Sequence, residues 1–336
     1  MTTRSHIRPF ARCSLLAALA AIAGCIQQTP PPPTPDAPRP TPVLSSSGLY
    51  EVTHAAEAQG VGAAQGIFAE GNFVYVFGDL YDDGTNGPGI IREFFFSTDD
   101  NDLTTLFPSG REIRLTEGGQ DIAPHPTGLT WHPNFGYWLG DTVEGRGRLF
   151  QIDFARAIRQ GTLDGCVIHS VDDDAAVNGT RPMFLTLPGG RVTLATSDYG
   201  DQANALRLYD PVALLAADNT SQPGVLVSEA ACGPWVQSLA SRGNPGQLWL
   251  VQNQTEGLGY RLTEITLDDA GEIISREVVD FVRPTDELEG LLWLEPDRQD
   301  RVPFVMVNAG QSRNVYFGRL NPEPTFVNPI QRQLDR

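Results

Sequence analysis

Short apolar runs separated by polar turns recur along this chain at a nearly constant interval. The segments GIFAEGNFVYVFGD (Gly66–Asp79), GLTWHPNFGYWLGD (Gly128–Asp141), MFLTLPGGRVTLATSD (Met183–Asp198), QSLASRGNPGQLWLVQN (Gln237–Asn253) and GLLWLEPDRQDRVPFVMVN (Gly290–Asn308) share one layout. Each reads as an apolar strand, a polar turn with glycine or charge, and a second apolar strand ending in Asp or Asn. The terminal residues Asp79, Asp141, Asp198, Asn253 and Asn308 are 62, 57, 55 and 55 positions apart. A third strand follows in each unit: IIREFFFS, RLFQIDF, ALRLYD, YRLTEITL and NVYFGRL. The second and third units match further. Asp153 and Asp210 are again 57 apart and precede the short helical patterns ARAIRQ and VALLAA. An aspartate there predicts an N-cap, its side chain accepting from the first free backbone N–H groups.

Units of about 50 residues with three or four strands each have the spacing of a β-propeller. The pattern predicts an all-β propeller of five blades, or of six if a repeat is hidden in the longer first unit. The last unit lacks a fourth strand, and GLYEVTHA (Gly48–Ala55) is a strand without a unit. Pairing the two closes the ring and removes sheet edges that invite aggregation. A β-sandwich does not produce this period.

In antiparallel blades, the segment leading into the first strand and the loop leaving the second emerge on one face. That face collects Gln65, Asp79, Asp82 and Asp83 from the first unit, His125 and Asp141 from the second, and Arg181 and Asp198 from the third. The fourth adds Trp235 and Asn253; the fifth adds Asp286, Glu287, Glu289 and Asn308. The row Asp79, Asp141, Asp198, Asn253 and Asn308 is expected near the central channel. Converging carboxylates there require a cation, a paired arginine or a retained proton. Calcium accepts such oxygens; capping of the following turns explains the same residues without any ligand. Trp235 is placed to stack on a ligand, whereas Trp131, Trp138, Trp249 and Trp293 are expected to pack between blades. His125, a general-base candidate near Asp141, also fits a loop role before its proline. The loop Asp79–Gly87 lacks the spacing of a calcium-binding loop and reads as an acidic turn. The motifs G-x-S-x-G, H-E-x-x-H and C-x-x-C are absent.

Upstream of the repeats, Arg4, Arg8 and Arg12 precede the small and apolar run Ser14–Gly24. This is the layout of a secretory signal, and it falls short of the roughly 20 residues that span a bilayer. Ile22-Ala23-Gly24-Cys25 resembles the lipobox of bacterial lipoproteins. That resemblance implies lipidation of Cys25, palmitate included, and cleavage after Gly24. Because Ile26 rather than Asp follows the cysteine, it also implies the outer membrane, facing periplasm or cell surface. Thr29–Val43 is proline-rich and predicts a semi-rigid stalk extending ~3.1 Å per residue. The expected organisation is a signal over 1–24, a lipidated linker over 25–45 and a propeller over 46–336.

The formal charge of −17 becomes −20 once the signal and its three arginines leave. Such a surface argues against nucleic acid and against a polybasic hold on anionic lipid. After processing, Cys166 and Cys232 remain, read as lying in one outer strand and just past the next. Outer strands splay apart, which disfavours the Cα separation under ~7 Å that a disulfide needs.

The second unit, with Gly128-Leu129, the turn near Asn134, Trp138 and Asp141-Thr142, resembles an NHL repeat and a blade of the gluconolactonase/regucalcin family. Glu289-Gly290-Leu291-Leu292-Trp293 is similar to that family's Glu-Gly-Pro-x-Trp opening, which implies a metal-ligand role for Glu289. The sequence departs from the family at Thr127, where an asparagine is expected, and at Arg181-Pro182, where the family's aspartate has no counterpart. The function expected is binding of a partner protein or small ligand at the polar mouth. Its candidate residues are Asp79, His125, Asp141, Arg181, Asp198, Trp235, Asn253 and Asn308, with no cofactor required. The resemblance implies an alternative, a calcium-dependent hydrolase using Asp79, Asp141, Asp198 and Glu289. A structural envelope role is the third.

Overall fold

The computed structural model describes residues 50–82, 85–98, 103–143, 145–201, 204–253, 260–282, 287–294, 302–308 and 314–320. The chain divides into Met1–Pro40 and Thr41–Arg336, and every described residue lies in the second unit. Cys25, the signal and the proline-rich segment are outside the described residues. No described helix is long and apolar enough to cross a membrane.

The fold is an all-β propeller. Strand β1 (Tyr50–Ala56) is followed by β2 (Ala63–Glu70), β3 (Phe73–Asp82), β4 (Thr85–Thr98) and β5 (Leu103–Arg114), which form the first sheet. A small ribbon of β6 (Thr116–Glu117) and β7 (Gln120–Asp121) follows. The second sheet has β8 (Pro126–His132), β9 (Gly136–Val143), β10 (Arg146–Ile152), helix α1 (Phe154–Gln160) and then β11 (Val167–Asp173). The third has β12 (Met183–Thr186), β13 (Val192–Ser197), β14 (Ala205–Tyr209), helix α2 (Pro211–Leu214) and then β15 (Leu226–Ala231). The fourth has β16 (Val236–Ala240), β17 (Gln247–Gln252), β18 (Tyr260–Leu267) and β19 (Ile273–Val282). The fifth joins β20 (Leu288–Trp293), β21 (Val302–Asn308) and β22 (Val315–Leu320) to β1. Tyr50 pairs with Leu320 and Ala56 with Val315, so the orphan strand does complete the last unit.

Every residue of β16 and of β14 is buried, as are most of β8 and β17. Outer strands alternate, as in the half-exposed pattern of β11. Apolar clusters fill the gaps between neighbouring sheets. Tyr75, Ile91 and Ile113 of the first meet Leu139 and Phe150 of the second. Trp138 and Leu149 of the second meet Leu194 and Tyr209 of the third. Leu206 and Leu208 meet Leu248 and Ile265 of the fourth, and Val251 meets Leu291 and Tyr316 of the fifth. Val305 and Phe317 then return to Val74, Val76 and Phe94 of the first.

The long first unit holds no sixth four-stranded sheet among the described residues. Its extra length lies in the 14-residue β4, the 12-residue β5 and the ribbon. Both helical caps form: Asp153 accepts from Arg156 N–H, and Asp210 from Val212 and Ala213 N–H. Such a cap contributes about 1 kcal/mol.

Candidate functional site

Four of the five innermost strands carry a β-bulge near their start, breaking register between Ala64 and Gly66, Pro126 and Gly128, Val236 and Ser238, and Leu288 and Gly290. A bulge re-aims the extra residue. Here the extra residues are Gln65, Thr127, Gln237 and Glu289, all buried. In the third sheet Arg181 occupies the same place, ahead of Pro182 and β12, and is 3% exposed. Immediately beyond them Gly66, Gly128, Pro182, Ser238 and Gly290 line an axial cavity of only about 20 Å³. That is room for about one water molecule. The close approach requires glycine: a Cβ on Gly290 would lie 2.9 Å from the Gly66 Cα.

This arrangement corrects the expected Asp/Asn ring. None of Asp79, Asp141, Asp198 or Asn253 lines the axial cavity. They lie at or near the ends of second strands, one strand further out, and the side chains of Asp141 and Asp198 hold loops that lead into first strands. Asp141 Oδ1 accepts from His125 N–H at 2.8 Å. Asp198 accepts from Val177 and Ala205 N–H at 2.9 and 3.0 Å, and Arg207 grips both its oxygens at 2.6 and 3.2 Å. Asn308 pairs through its backbone with Leu288. The side chains of Asn308 and Asp82, together with Asp83 and Asp286, lie outside the described residues.

Above the axis, seven side chains from the third, fourth and fifth sheets form one cluster. Arg181 Nε donates to Gln237 O at 2.9 Å, and its guanidinium lies 5.1 Å from the Tyr199 ring. Gln237 Nε2 donates to Glu289 Oε1 at 3.0 Å and to Glu287 Oε1 at 3.1 Å. Asn253 Nδ2 donates to the same Glu287 oxygen, and Tyr199 OH reaches it at 3.4 Å. The Trp235 ring meets Tyr199 edge-on at 5.2 Å. Burial pulls the Arg181 pKa down to about 10, with Glu289 opposing that fall, so the guanidinium stays charged at neutral pH. Arg181 and Glu289 are buried, whereas Trp235, Tyr199 and Glu287 are half-buried above them.

Backbone strain gathers at the same place. Among the described residues, Asn178 (φ 56°) and Trp235 (φ 58°) are the non-glycine residues with positive φ. Asparagine tolerates that conformation; for tryptophan it costs roughly 1–2 kcal/mol. Trp235 is held there by N–H donation to Gly200 O at 2.7 Å and by its own carbonyl accepting from Asn253 N–H at 3.0 Å. Asn178 O accepts from Arg181 Nη1, and Asn178 Nδ2 donates to Tyr199 O.

His125 belongs to a second group. Its Nδ1 is 3.3 Å from Asp79 Oδ1, in an open cleft of about 430 Å³ that also holds Asp121 and Pro88. Burial raises the Asp141 pKa to about 7, opposed by His125 and by the His125 and Thr142 N–H groups. The folded pKa thus exceeds the unfolded one, so stability contributed by protonated Asp141 is intact below about pH 4. It is lost progressively as pH rises through about 7. Asp141→Asn keeps the acceptor for His125 and removes the buried charge. It is expected to raise the melting temperature by about 3 °C at pH 8 and by much less at pH 5. Paired thermal scans at the two pH values check this; an equal shift at both overturns it.

Of the four residues named for calcium, Asp141, Asp198 and Glu289 have other partners. Asp198 is neutralised by Arg207, Glu289 stands beside buried Arg181, and Asp141 is committed to a backbone N–H. No grouping of three or more His, Cys, Asp or Glu among the described residues is arranged to hold a metal. Cys166 and Cys232 are free and buried in different inter-sheet cores, Cys166 directly preceding β11 rather than within it. Trp138, Trp249 and Trp293 pack between sheets as expected. Trp131 is 42% exposed instead, because it lies near the turn end of β8, beyond the inter-sheet core. The residues that sequence reasoning missed are Tyr199 and the bulge role of Gln237 and Thr127. The signal was the residue just before Gly128, Ser238 and Gly290, which recurs with the repeat although its chemical type changes.

No family model matches the chain, and no curated protein does. Solved structures do. A glucose dehydrogenase aligns at 11% identity over 80% of this chain and 86% of its own, TM-score 0.41. A β-1,3-galactosidase solved with galactodeoxynojirimycin aligns at 11% identity over 79% and 93%, TM-score 0.47. A tail fibre of Staphylococcus aureus phage P68 aligns at 14% identity over 81% and 53%, TM-score 0.41. These three differ in the roles their names state, and at such low similarity no role passes from any of them to this chain.

Proposed function

We propose that this chain is an exported lipoprotein, tethered through Cys25, whose five sheets are the blades of a closed ring that binds a small polar ligand. The binding place is the mouth formed by the third, fourth and fifth blades. The observation that carries this reading is Trp235, a bulky residue held at φ 58° with its ring against Tyr199. A strained backbone over a buried Arg181–Gln237–Glu289 layer is a pre-organised surface, and strain of this kind concentrates at ligand clamps. Trp235 and Tyr199 offer ring edges and faces, Glu287 and Asn253 offer polar atoms, and the buried layer holds them in place. Two glutamates against one arginine leave the cluster net negative, which favours a ligand rich in hydrogen-bond donors.

The test is retention of a ligand by the mature protein. Incubated with a small-molecule extract of its own cells and examined by native mass spectrometry, the wild type is expected to retain a bound species. Trp235→Gly is expected to weaken that binding about tenfold, as loss of one aromatic anchor does. Its melting temperature is expected to change little, because relief of strain offsets the lost ring contacts. Equal retention by both proteins, or none by either, overturns the proposal.

A further inference from the structure

The opposite end of the first two sheets carries a second cleft, of about 460 Å³, between the face of the first sheet and helix α1. Its size falls within the roughly 300–1,000 Å³ of small-molecule sites. Its polar groups are held in place by one another. Glu93, 2% exposed, accepts from Tyr75 OH at 3.0 Å and from Arg111 Nε at 2.7 Å. Across the cleft Tyr137 OH donates to Glu70. Burial and the neighbouring glutamates raise both tyrosine pKa values, so both hydroxyls remain donors at any physiological pH. A carboxylate this deeply buried is costly unless paired. Here its partner Arg111 is half-exposed at the rim, with its guanidinium over the Phe73 ring at 5.3 Å.

Two features define what such a cleft accepts. Its ionised lining, Glu70 and Glu93 against Arg111 and Arg159, sums to zero, so no net charge is selected. Its apolar side is aromatic and continues outward. Phe73 on β3 is directly opposite Phe95 on β4, and Phe95 is opposite Phe107 on β5. Directly opposed residues share a sheet face, so the three rings form a row leading away from the cleft. Phe95 and Phe107 are 46% and 52% exposed. A neutral ligand with a flat C–H face and hydroxyls around its edge matches this combination of rings, phenol and carboxylate oxygens that accept, and an arginine that donates.

We propose that the cleft between the first sheet and α1, with its Phe73–Phe95–Phe107 row, is a binding site for a neutral oligosaccharide. One sugar ring occupies the cleft beside Glu70, Tyr137 and Arg111, and further rings lie along the phenylalanines. This site is separate from the Trp235 mouth and does not depend on it. A membrane-inserting role for the exposed phenylalanines suits the site less well, because the row leads into a pocket of ionised groups on an acidic protein.

The experiment uses the full mature protein in detergent, screened against an array of neutral and acidic oligosaccharides and followed by calorimetry on the strongest neutral binder. A neutral oligosaccharide is expected to bind, and Phe95→Ala and Glu70→Gln are each expected to weaken it about tenfold. Phe95→Ala changes an exposed side chain and Glu70→Gln keeps an acceptor for Tyr137, so both variants should melt as the wild type does. Trp235→Gly is expected to leave this affinity unchanged, which separates this site from the mouth. The proposal is overturned if no neutral saccharide binds, if acidic probes bind better, or if both variants bind as the wild type. Phe95-dependent capture of phospholipid vesicles overturns it in favour of a membrane surface.

Discussion

Asp198→Ala is expected to lower the melting temperature by roughly 5–8 °C, from the 3–5 kcal/mol that removing one partner of a buried pair costs and the unfolding entropy of a domain this long. The Asp198 side chain is fully buried and that of Arg207 is 7% exposed. The carboxylate takes two bonds from the guanidinium and two from backbone N–H groups of flanking loops. Alanine therefore strands a buried charge, and it also frees Val177 and Ala205 N–H in a region with little water to replace the lost acceptor. Glu229 holds Arg207 Nε at 2.8 Å, so part of the charge remains compensated. Asp198→Asn should be milder, because its amide oxygen still accepts from one backbone donor. Adding Arg207→Met to Asp198→Asn should recover part of the loss by removing the stranded charge. Thermal denaturation of the three variants distinguishes these terms. An Asp198→Ala protein that melts within about 1 °C of wild type would show the pair to be energetically idle.

The repeat was legible because its marker, an Asp or Asn near the end of each second strand, does the same structural job in the second and third units. Asp141 and Asp198 both bond the backbone of neighbouring loops, so the same residue type recurs at the same offset. The N-caps Asp153 and Asp210 were legible for the same reason. The axial girdle was not. Gln65, Thr127, Arg181, Gln237 and Glu289 share a backbone position at the start of an inner strand but no chemical type. A bulge leaves no compositional mark beyond the glycine, serine or proline that follows. The resemblance to gluconolactonase-type propellers singled out Glu289 and missed its neighbours, because Arg181 and Gln237 answer its charge from other sheets. The second cleft was equally hidden: Tyr75 and Glu93 meet through the β3–β4 register, and Arg111 reaches Glu93 where the β4–β5 register breaks. Register is set by turns and bulges that periodicity alone does not fix.

The girdle and the mouth also have a common cause. Each bulge inserts one residue and buries its polar side chain near the axis. Such a side chain sits there at low cost only when it is hydrogen-bonded across to a neighbouring sheet or the loop that leads into one, as Thr127 is to Thr180 O. Gln237, Glu289 and Arg181 are bonded in this way, and the layer they make is what Tyr199 and Trp235 rest on. Loss of the Gln237 amide is therefore expected to disturb Glu287 at the mouth, although Gln237 itself is buried.

Replacing Cys25 with alanine is expected to abolish lipid labelling of the chain. This rests on sequence, since Cys25 lies outside the described residues: three arginines, an eleven-residue apolar run and Ile22-Ala23-Gly24-Cys25. On the proposed reading the wild-type thiol takes a diacylglyceryl group, and several acyl chains at about 0.8 kcal/mol per buried methylene would hold the protein stably to a bilayer. Without the thiol there is no acceptor, and processing that requires a lipidated cysteine also stops. Cells fed an alkyne analogue of palmitate should give a labelled wild type that partitions into the detergent phase and begins at residue 25. Cys25→Ala should be unlabelled and retain residues 1–24. An unlabelled wild type, a mature terminus elsewhere, or a label that survives the substitution would leave an ordinary secretory signal as the better description.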